Sequence, residues 1–438
     1  MRQWAPLWAV CAGAAMLLLD VTIVHVALPS TGADLDASLS DLQWVVDVYA
    51  LVLAALLLTS GALADRFGGR RLFTLGLCVF GAASLACALA PTPWFLIAAR
   101  AVQGAGAACV FATGPVLLHQ AYEGRARGVA FGAWGAVSGA AAAAGPLLGG
   151  VLTHQFDWRW VFLVNVPVSV LAAVLAMTGL ARSPTAADRG LDLAGTVCFA
   201  VATGSVVYAL IRGDLIPFGV ALVALVAFVL VERRHPHPVL DLRLVRSPAF
   251  TGVSLAALTL SLSAYSGLLY VSLRLRDDGL SALQTGLALA PLGVTALVVS
   301  SLFGRRLHRT PPRLPIAGGL LLVAAGAPVT AVSTWQCVVV GTAVAGTGIG
   351  LVSPMLAKTA IGAVPGDRAG MATAANAACR QFGTAVGIAL LGPVFQAHGL
   401  RAAFAVCAGT ALLGAALSFA LLRGPQDALP RQPVRSTP

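Results

Sequence analysis

Fourteen stretches of roughly twenty residues, each mainly apolar and nearly free of charge, succeed one another along the 438-residue chain. A run of that length and kind is what a helix needs to cross the hydrocarbon core of a bilayer, about 30 Å at 1.5 Å per residue. They fall near 7–29, 44–64, 72–90, 94–119, 128–153, 161–181, 193–212, 216–231, 249–273, 283–304, 314–333, 336–357, 370–397 and 402–422. Lipid offers no partner to a bare peptide group, so each stretch must form its own helical hydrogen bonds. The expected fold class is therefore an all-α integral membrane protein with fourteen transmembrane helices. Composition agrees: 58% of the residues are apolar and 10% charged, against roughly 25% charged in a soluble globular chain.

A net charge of +11 would suit a nucleic-acid partner if the charge were clustered, but its placement follows the membrane instead. With the N-terminus in the cytoplasm, 21 of the 28 Lys and Arg fall on the inner side, 5 fall on the outer side, and Arg100 and Arg380 stay within the membrane. Such an excess on the inner loops predicts that both termini are cytoplasmic. Trp4, Trp8, Trp44, Trp94, Trp158, Trp160 and Trp335 sit at predicted span ends, as amphipathic rings at headgroup level should, and only Trp134 is deep. Asp20 interrupts the first apolar run and many spans follow it, which argues against a cleaved signal peptide. The eight Cys lie in or beside apolar spans without CxxC spacing, and read as small hydrophobes rather than metal ligands or disulfide partners. Arg outnumbers the single Lys358 by 27 to one, a bias that points to a GC-rich bacterial source and hence a bacterial cell membrane.

The spans divide as six, two and six. A first six-helix bundle over 1–182 and a second over 247–438, ending in a short cytoplasmic tail, flank a two-helix hairpin within 183–246. Polar stretches, ARSPTAADRG and ERRHPHPVLDLRLVRSP, bound the hairpin, so it inverts nothing downstream and is expected to lie beside the transport path. A faint repeat relates the halves: GALADRFGGR from Gly61 and GRRLHRTPPR from Gly304 place Arg66 against Arg309 and Arg70 against Arg313.

Ionisable groups inside a span cost about 2.5 to 3.5 kcal/mol each at the helix centre, so the few present are informative. Asp20 and Arg100 come to similar depths in spans 1 and 4 and are placed to pair, either as a static buried ion pair or as a reversible proton carrier. Asp47 lies about a turn into span 2, near enough to the outer end to reach the headgroups. Arg380, about ten residues into span 13 and followed by Gln381, is too deep to snorkel and should face a wet cavity. His25 near the outer end of span 1 is placed either to titrate near neutral pH or, the more frequent case, to sit as a hydrogen-bonded neutral side chain. Asp65 ends span 2, where its charge faces the negative end of its own helix dipole and calls for a partner such as Arg66, Arg70 or Arg71. Span 5 carries Gly128/Gly132, Gly135/Gly139 and Gly145/Gly149 at four-residue spacing and Pro146 beside Gly145, which suits a hinge or a tight helix contact.

These segments together resemble the major facilitator superfamily, in particular its fourteen-helix drug:proton antiporter branch. LLDVTIVHVALPS (Leu18 to Ser30) is similar to that branch's span 1 signature, GALADRFGGRR (Gly61 to Arg71) to its loop 2–3 motif, RAVQGAGA (Arg100 to Ala107) to its span 4 motif, and AAAAGPLLGG (Ala141 to Gly150) to its antiporter motif. WRWVFLVNVP, LDLRLVRSPAF and the stretch from Gly346 through Arg380 and Gln381 to Gly392 also match later patterns. The resemblance implies the major facilitator fold, with Asp20 and Arg100 in the proton-coupling places. It implies a gating motif of Gly61, Asp65, Arg66, Gly68, Arg70 and Arg71, and an antiporter seal of Gly145, Pro146, Gly149 and Gly150. It places His25, Asp47, Gln103, Arg380 and Gln381 around a substrate cavity. His25 stands where the family usually has Asn, Gly69 where a basic residue is common, and Ala141 where the antiporter motif opens with Gly.

The expected function is proton-coupled efflux of small amphiphilic compounds, an antibiotic or toxic metabolite, by a monomer with no metal and no cofactor. The alternative on this scaffold is a proton-coupled nutrient symporter. ATP is not expected as the energy source, because the only Lys, Lys358, follows Ala357 where a phosphate-binding loop requires Gly. An enzyme is not expected either, since the seven His are scattered and no polar groups converge at one depth.

Overall fold

The computed structural model describes residues 4–181, 192–236, 238–307, 310–332, 334–365 and 368–422, apart from the side chains at 65 and 305–307. The described residues are almost entirely helical. In chain order the helices are α1 (Ala5–Leu35), α2 (Leu39–Phe67), α3 (Gly69–Ala88), α4 (Pro93–Ala121), α5 (Gly124–Gln155), α6 (Trp160–Gly179), α7 (Leu193–Arg212) and α8 (Ile216–Arg234), followed by α9 (Pro248–Asp277), α10 (Ala282–Leu307), α11 (Arg313–Thr330) and α12 (Trp335–Gly362). The last continuous helical stretch, Ala369–Leu421, holds 53 residues. At 1.5 Å per residue it would measure about 80 Å, far more than a bilayer core. Gly399, at φ 76° and ψ −173°, breaks it, because only a residue without Cβ enters that region freely. The halves, α13 (369–398) and α14 (400–421), bring the helices long enough to cross a membrane among the described residues to fourteen.

Helix starts are written locally. Ser38 Oγ accepts from Asp41 N while Asp41 Oδ2 accepts from Ser38 N, a complete capping box for α2. Thr92 before Pro93 caps α4, Ser247 before Pro248 caps α9, and Thr334 caps α12. Two spans that read as continuous are interrupted: α6 between Leu163 and Asn165, and α9 at Tyr265–Ser266. Each interruption turns a polar residue inward, Asn165 and Ser266, both buried.

Helices α1 to α6 form one bundle, in which α1 packs on α5 and α6, and α2 and α3 pack on α4. Helices α9 to α14 form the other. The bundles meet along two seams, α5 against α10 and α2 against α13, with α1 also touching α9. The hairpin α7–α8 is mostly outward-facing, yet α7 lies across the second seam: Val207 packs with Ala50 and Leu51 of α2 and with Ala385 and Ala389 of α13. All eight cysteines are free thiols; Cys11, Cys87 and Cys407 are buried, whereas Cys78 faces outward, unlike the buried hydrophobe expected. The 182–191 linker, His308 and Arg309 of the faint repeat, and the Pro- and Arg-rich tail lie outside the described residues.

Candidate functional site

The first bundle closes on one buried ion pair. Arg100 Nη1 of α4 lies 2.7 Å from Asp20 Oδ2 of α1, with side-chain exposures of 1% and 0%. The other carboxylate oxygen, Oδ1, accepts from Gln103 Nε2 at 3.0 Å and from Asn165 Nδ2 of α6 at 2.9 Å. Arg100 also donates through Nε to Val45 O of α2 and through Nη1 to Gln103 Oε1. Its guanidinium lies 4.1 Å from the ring centre of Tyr49, a cation–π contact strengthened by the absence of water. Gln103 Nε2 reaches Ser84 Oγ of α3 at 2.9 Å. Five helices thus converge on Asp20, whose carboxylate accepts from Arg100, Gln103 and Asn165. Adding a proton removes the charge that holds Arg100 and leaves a buried guanidinium without its counter-ion. That is a large electrostatic change at one point of a tightly packed bundle.

Sequence reasoning placed Gln103 in the substrate cavity; the structure instead ties it into the Asp20 cluster. It named neither Asn165 nor Tyr49. Asn165 carried a signal, as an amide in an otherwise apolar span, but only the break in α6 brings it to Asp20. Tyr49 looked like an ordinary apolar residue of α2.

Asp47 differs more sharply from expectation. It does not reach the headgroups: it lies more than two turns into α2, is fully buried, and both its oxygens lack a hydrogen-bond partner. Capping by Ser38 starts α2 five residues earlier than the apolar run suggests, which draws Asp47 inward. Asp20 is therefore not the only deep carboxylate of the chain. A carboxylate out of water needs a partner, and none of the described groups supplies one to Asp47. His25 is likewise enclosed at 2% exposure; its Nδ1 bonds Val21 O at 2.9 Å and its Nε2 is unpartnered. Neither residue lines open space. Arg380 and Gln381 are half-buried in α13, and no carboxylate of the described residues pairs with Arg380.

The antiporter glycines lie where α5 is squeezed between its neighbours. A Cβ on Gly145 would sit 2.8 Å from Thr22 Cβ and 3.2 Å from Ile23 N of α1; one on Gly149 would sit 2.7 Å from Ile23 O. On the opposite side a Cβ on Gly150 would meet Ala282 O at 2.7 Å and Leu283 Cα at 3.0 Å of α10. Backbones approach this closely only without side chains. The other two glycine pairs of α5 behave differently. Gly128, Gly132 and Gly135 have nothing within 4 Å of a Cβ, and only Gly139 touches α10, at Leu297. The α5–α10 seam is therefore tight at the face opposite the termini and parts toward the face where the chain begins and ends. Beside this opening, α1, α4 and α5 border a narrow cleft of about 20 Å³ lined by Leu18, Phe111, Pro115, Trp134 and Ser138 among others.

A second closure at the far face joins α2 to the other bundle. Gln43 Nε2 donates to Ile388 O of α13 at 2.8 Å and to Tyr270 Oη of α9 at 3.1 Å, while Gly392 leaves room for the amide. Sequence reasoning missed Gln43, because a Gln near a span end carries no signal until its partners are known. A buried hydrogen bond contributes about 1 kcal/mol net, so Gln43→Ala is expected to raise the population open at the far face about fivefold. Spin-label distances between the far ends of α2 and α13 measure it, and an unchanged distribution would remove Gln43 from the gate.

In the gating motif, Gly68 turns the chain between α2 and α3 at φ 91°. Arg70 donates to Met177 O at the end of α6. Arg66 and Arg71 are exposed, and Gly61 faces open space. The Asp65 side chain, expected to complete the clasp, is outside the described residues.

Two helical bundles, joined along two seams and with a buried ion pair inside the first, define a multi-pass membrane protein of the transporter class. The chain belongs to the major facilitator superfamily, whose family model matches residues 10–388 and 313–437. It is 34% identical over 409 residues to the multidrug resistance protein Stp of Mycobacterium tuberculosis, covering 90% of this chain and 76% of that protein. It is 33% identical to the methylenomycin A resistance protein of Streptomyces coelicolor, covering 95% and 92%, and 36% identical to the puromycin resistance protein of Streptomyces alboniger, covering 96% and 92%. The crystal structure of the peptide transporter POT superposes with a TM-score of 0.72 over 94% of this chain and 93% of that one, at 16% identity, a likeness of fold alone.

Proposed function

We propose that this chain exports small amphiphilic compounds, antibiotics among them, across the bacterial plasma membrane in exchange for protons. The observation that carries the reading is its likeness along nearly its whole length to resistance proteins, which favours efflux over nutrient uptake. The membrane-embedded Asp20–Arg100 pair supports proton coupling. With both termini cytoplasmic, as the Arg distribution implies, the conformation is closed outward by Gln43 and the Gly145–Gly150 segment and parted inward beside Trp134. Apolar and aromatic walls such as Phe111 and Trp134 suit an amphiphilic substrate, with a few polar anchors. No cofactor is required: one proton crossing about 150 mV supplies about 3.5 kcal/mol, enough for a gradient of a few hundred-fold. Purified protein in proteoliposomes, acidified inside and given puromycin outside, is expected to accumulate the drug and to stop when the pH gradient is collapsed. Accumulation that survives collapse, or drug movement down the proton flow, would refute exchange; the second outcome would indicate symport.

The substrate is expected to be neutral, zwitterionic, anionic or singly charged. A lipophilic dication needs ionised carboxylates in its cavity. Asp20 is committed to Arg100 and Asp47 is sealed without a partner, whereas Arg380 is half-buried and unpaired by any described carboxylate. An efflux-deficient host expressing the chain should gain resistance to neutral or anionic antibiotics. Strong protection against dicationic biguanides alone would overturn this.

A further inference from the structure

The hairpin carries a pair of buried carboxyl groups that the transport path does not use. Asp192 caps α7, its Oδ1 accepting from Gly195 N at 2.7 Å. Glu232 lies in the last turn of α8, its Oε2 accepting from Leu240 N at 3.1 Å in the linker that leads to the second bundle. The residues are only 3% and 5% exposed, and the second oxygen of each, Asp192 Oδ2 and Glu232 Oε1, has no hydrogen-bond partner. A Cβ on Gly195 would sit 2.6 Å from the first and 2.8 Å from the second. The two unpartnered oxygens therefore border the same small space, kept free because residue 195 has no side chain.

We propose that Asp192 and Glu232 form a proton-binding site, distinct from Asp20, in which one proton is shared between Asp192 Oδ2 and Glu232 Oε1. Two carboxylates facing each other out of water do not both stay ionised, and one proton converts their repulsion into a strong hydrogen bond. His235, at the linker's start, has Nδ1 4.0 Å from Asp192 Oδ2 and is a quarter exposed. It lies at the water edge of the pair and offers a route for exchange. Among the described residues, the titratable groups that act on Glu232 are Asp192 and His235. From α2, the hydroxyl of Thr59 meets that of Thr196 and does not titrate. A metal ion fits less well, because no three such ligands converge among the described residues.

The site has mechanical consequences. Through Thr196 and Thr59 the α7 end of the pair is tied to α2. Through Leu240 the α8 end holds the linker, which packs in one cluster with Leu58 of α2 and Met371 of α13. The proton thus braces the hairpin against the α2–α13 seam, and its loss at alkaline pH sets the two ends apart.

Proton counting and infrared spectroscopy on the full chain in nanodiscs test the site without any transport assay, so the outcome is separate from that of the exchange reading. Between about pH 9 and pH 5 the wild type is expected to take up one proton more than Glu232→Gln or Asp192→Asn. Each variant should lose one protonated-carboxyl band, which Asp20→Asn retains. In Glu232→Gln the amide donates the hydrogen bond that the proton supplies, so the variant should fold. The native pair binds its proton in the folded state, whereas the separated carboxyls of the unfolded chain are ionised at neutral pH. Raising the pH through the pair's titration should therefore lower the wild-type melting temperature relative to Glu232→Gln. Equal proton counts in wild type and both variants, or parallel melting profiles with pH, would overturn the proposal.

Discussion

Asp20→Asn is expected to abolish uphill, proton-driven efflux while substrate binding survives better than in Arg380→Ala. The amide is isosteric with the protonated acid and carries no charge, so the variant stays in the state that the proton creates. Arg100 loses its counter-ion but keeps Val45 O, Gln103 Oε1 and the Tyr49 ring. Gln103 and Asn165 still have an amide oxygen to bond. Losing one partner of a buried pair costs about 3 to 5 kcal/mol, and the remaining contacts offset part of that, so the variant is expected to fold. Proteoliposome transport and drug binding measured on the same preparation separate the two effects. Wild-type uphill efflux by the Asn variant would remove Asp20 from the coupling step. Normal drug binding by Arg380→Ala would remove Arg380 from the cavity.

Gly150→Val is expected to hold the far face open and to reduce transport about tenfold or more. Its Cβ alone would press on Ala282 O and Leu283 Cα, backbone atoms that cannot swing aside. Overpacking of this kind costs about 1 to 3 kcal/mol, and each 1.4 kcal/mol shifts a two-state balance about tenfold. The cost falls only on the conformation in which α5 meets α10. Gly128→Val is the matched control: the same helix gains the same side chain where nothing lies within 4 Å, and transport should stay near wild type. A cysteine placed at the far end of α10 should react faster with an outside reagent in Gly150→Val. Equal reactivity in the two variants would show that Gly150 does not hold the seal.

The course of the backbone was largely legible in the sequence. Runs of apolar residues near the length of a bilayer mark the spans, and Ser, Thr and Pro at their starts explain the ends of α2, α4, α9 and α12. Helix formation in lipid is local, because each span satisfies its own peptide groups. The pairing of Asp20 with Arg100 was legible for the same reason: two charges at equal depth in hydrocarbon must find each other. Where prediction failed, the missing information was lateral. Gly128 and Gly145 look alike in sequence, and only the tilt of α5 against α10 decides which one is compressed. Asp47 looked like a headgroup-facing acid until the start of α2 and the packing of α13 enclosed it.

By itself, then, the sequence determined that this is a multi-pass helical membrane protein, roughly where its helices begin and end, and that Asp20 and Arg100 lie deep, since the transfer of apolar and charged groups depends on position along each span. Only the tertiary structure decided which polar groups share a neighbourhood: Asn165 and Gln103 with Asp20, Gln43 with Ile388, and Asp192 with Glu232. Those contacts join residues 83 to 345 positions apart in the first two cases, and join the two ends of the hairpin in the third. They depend on how helices rotate and lean on one another, and small residues and breaks such as Gly150, Gly195 and Val164 set that through close packing that no single span encodes.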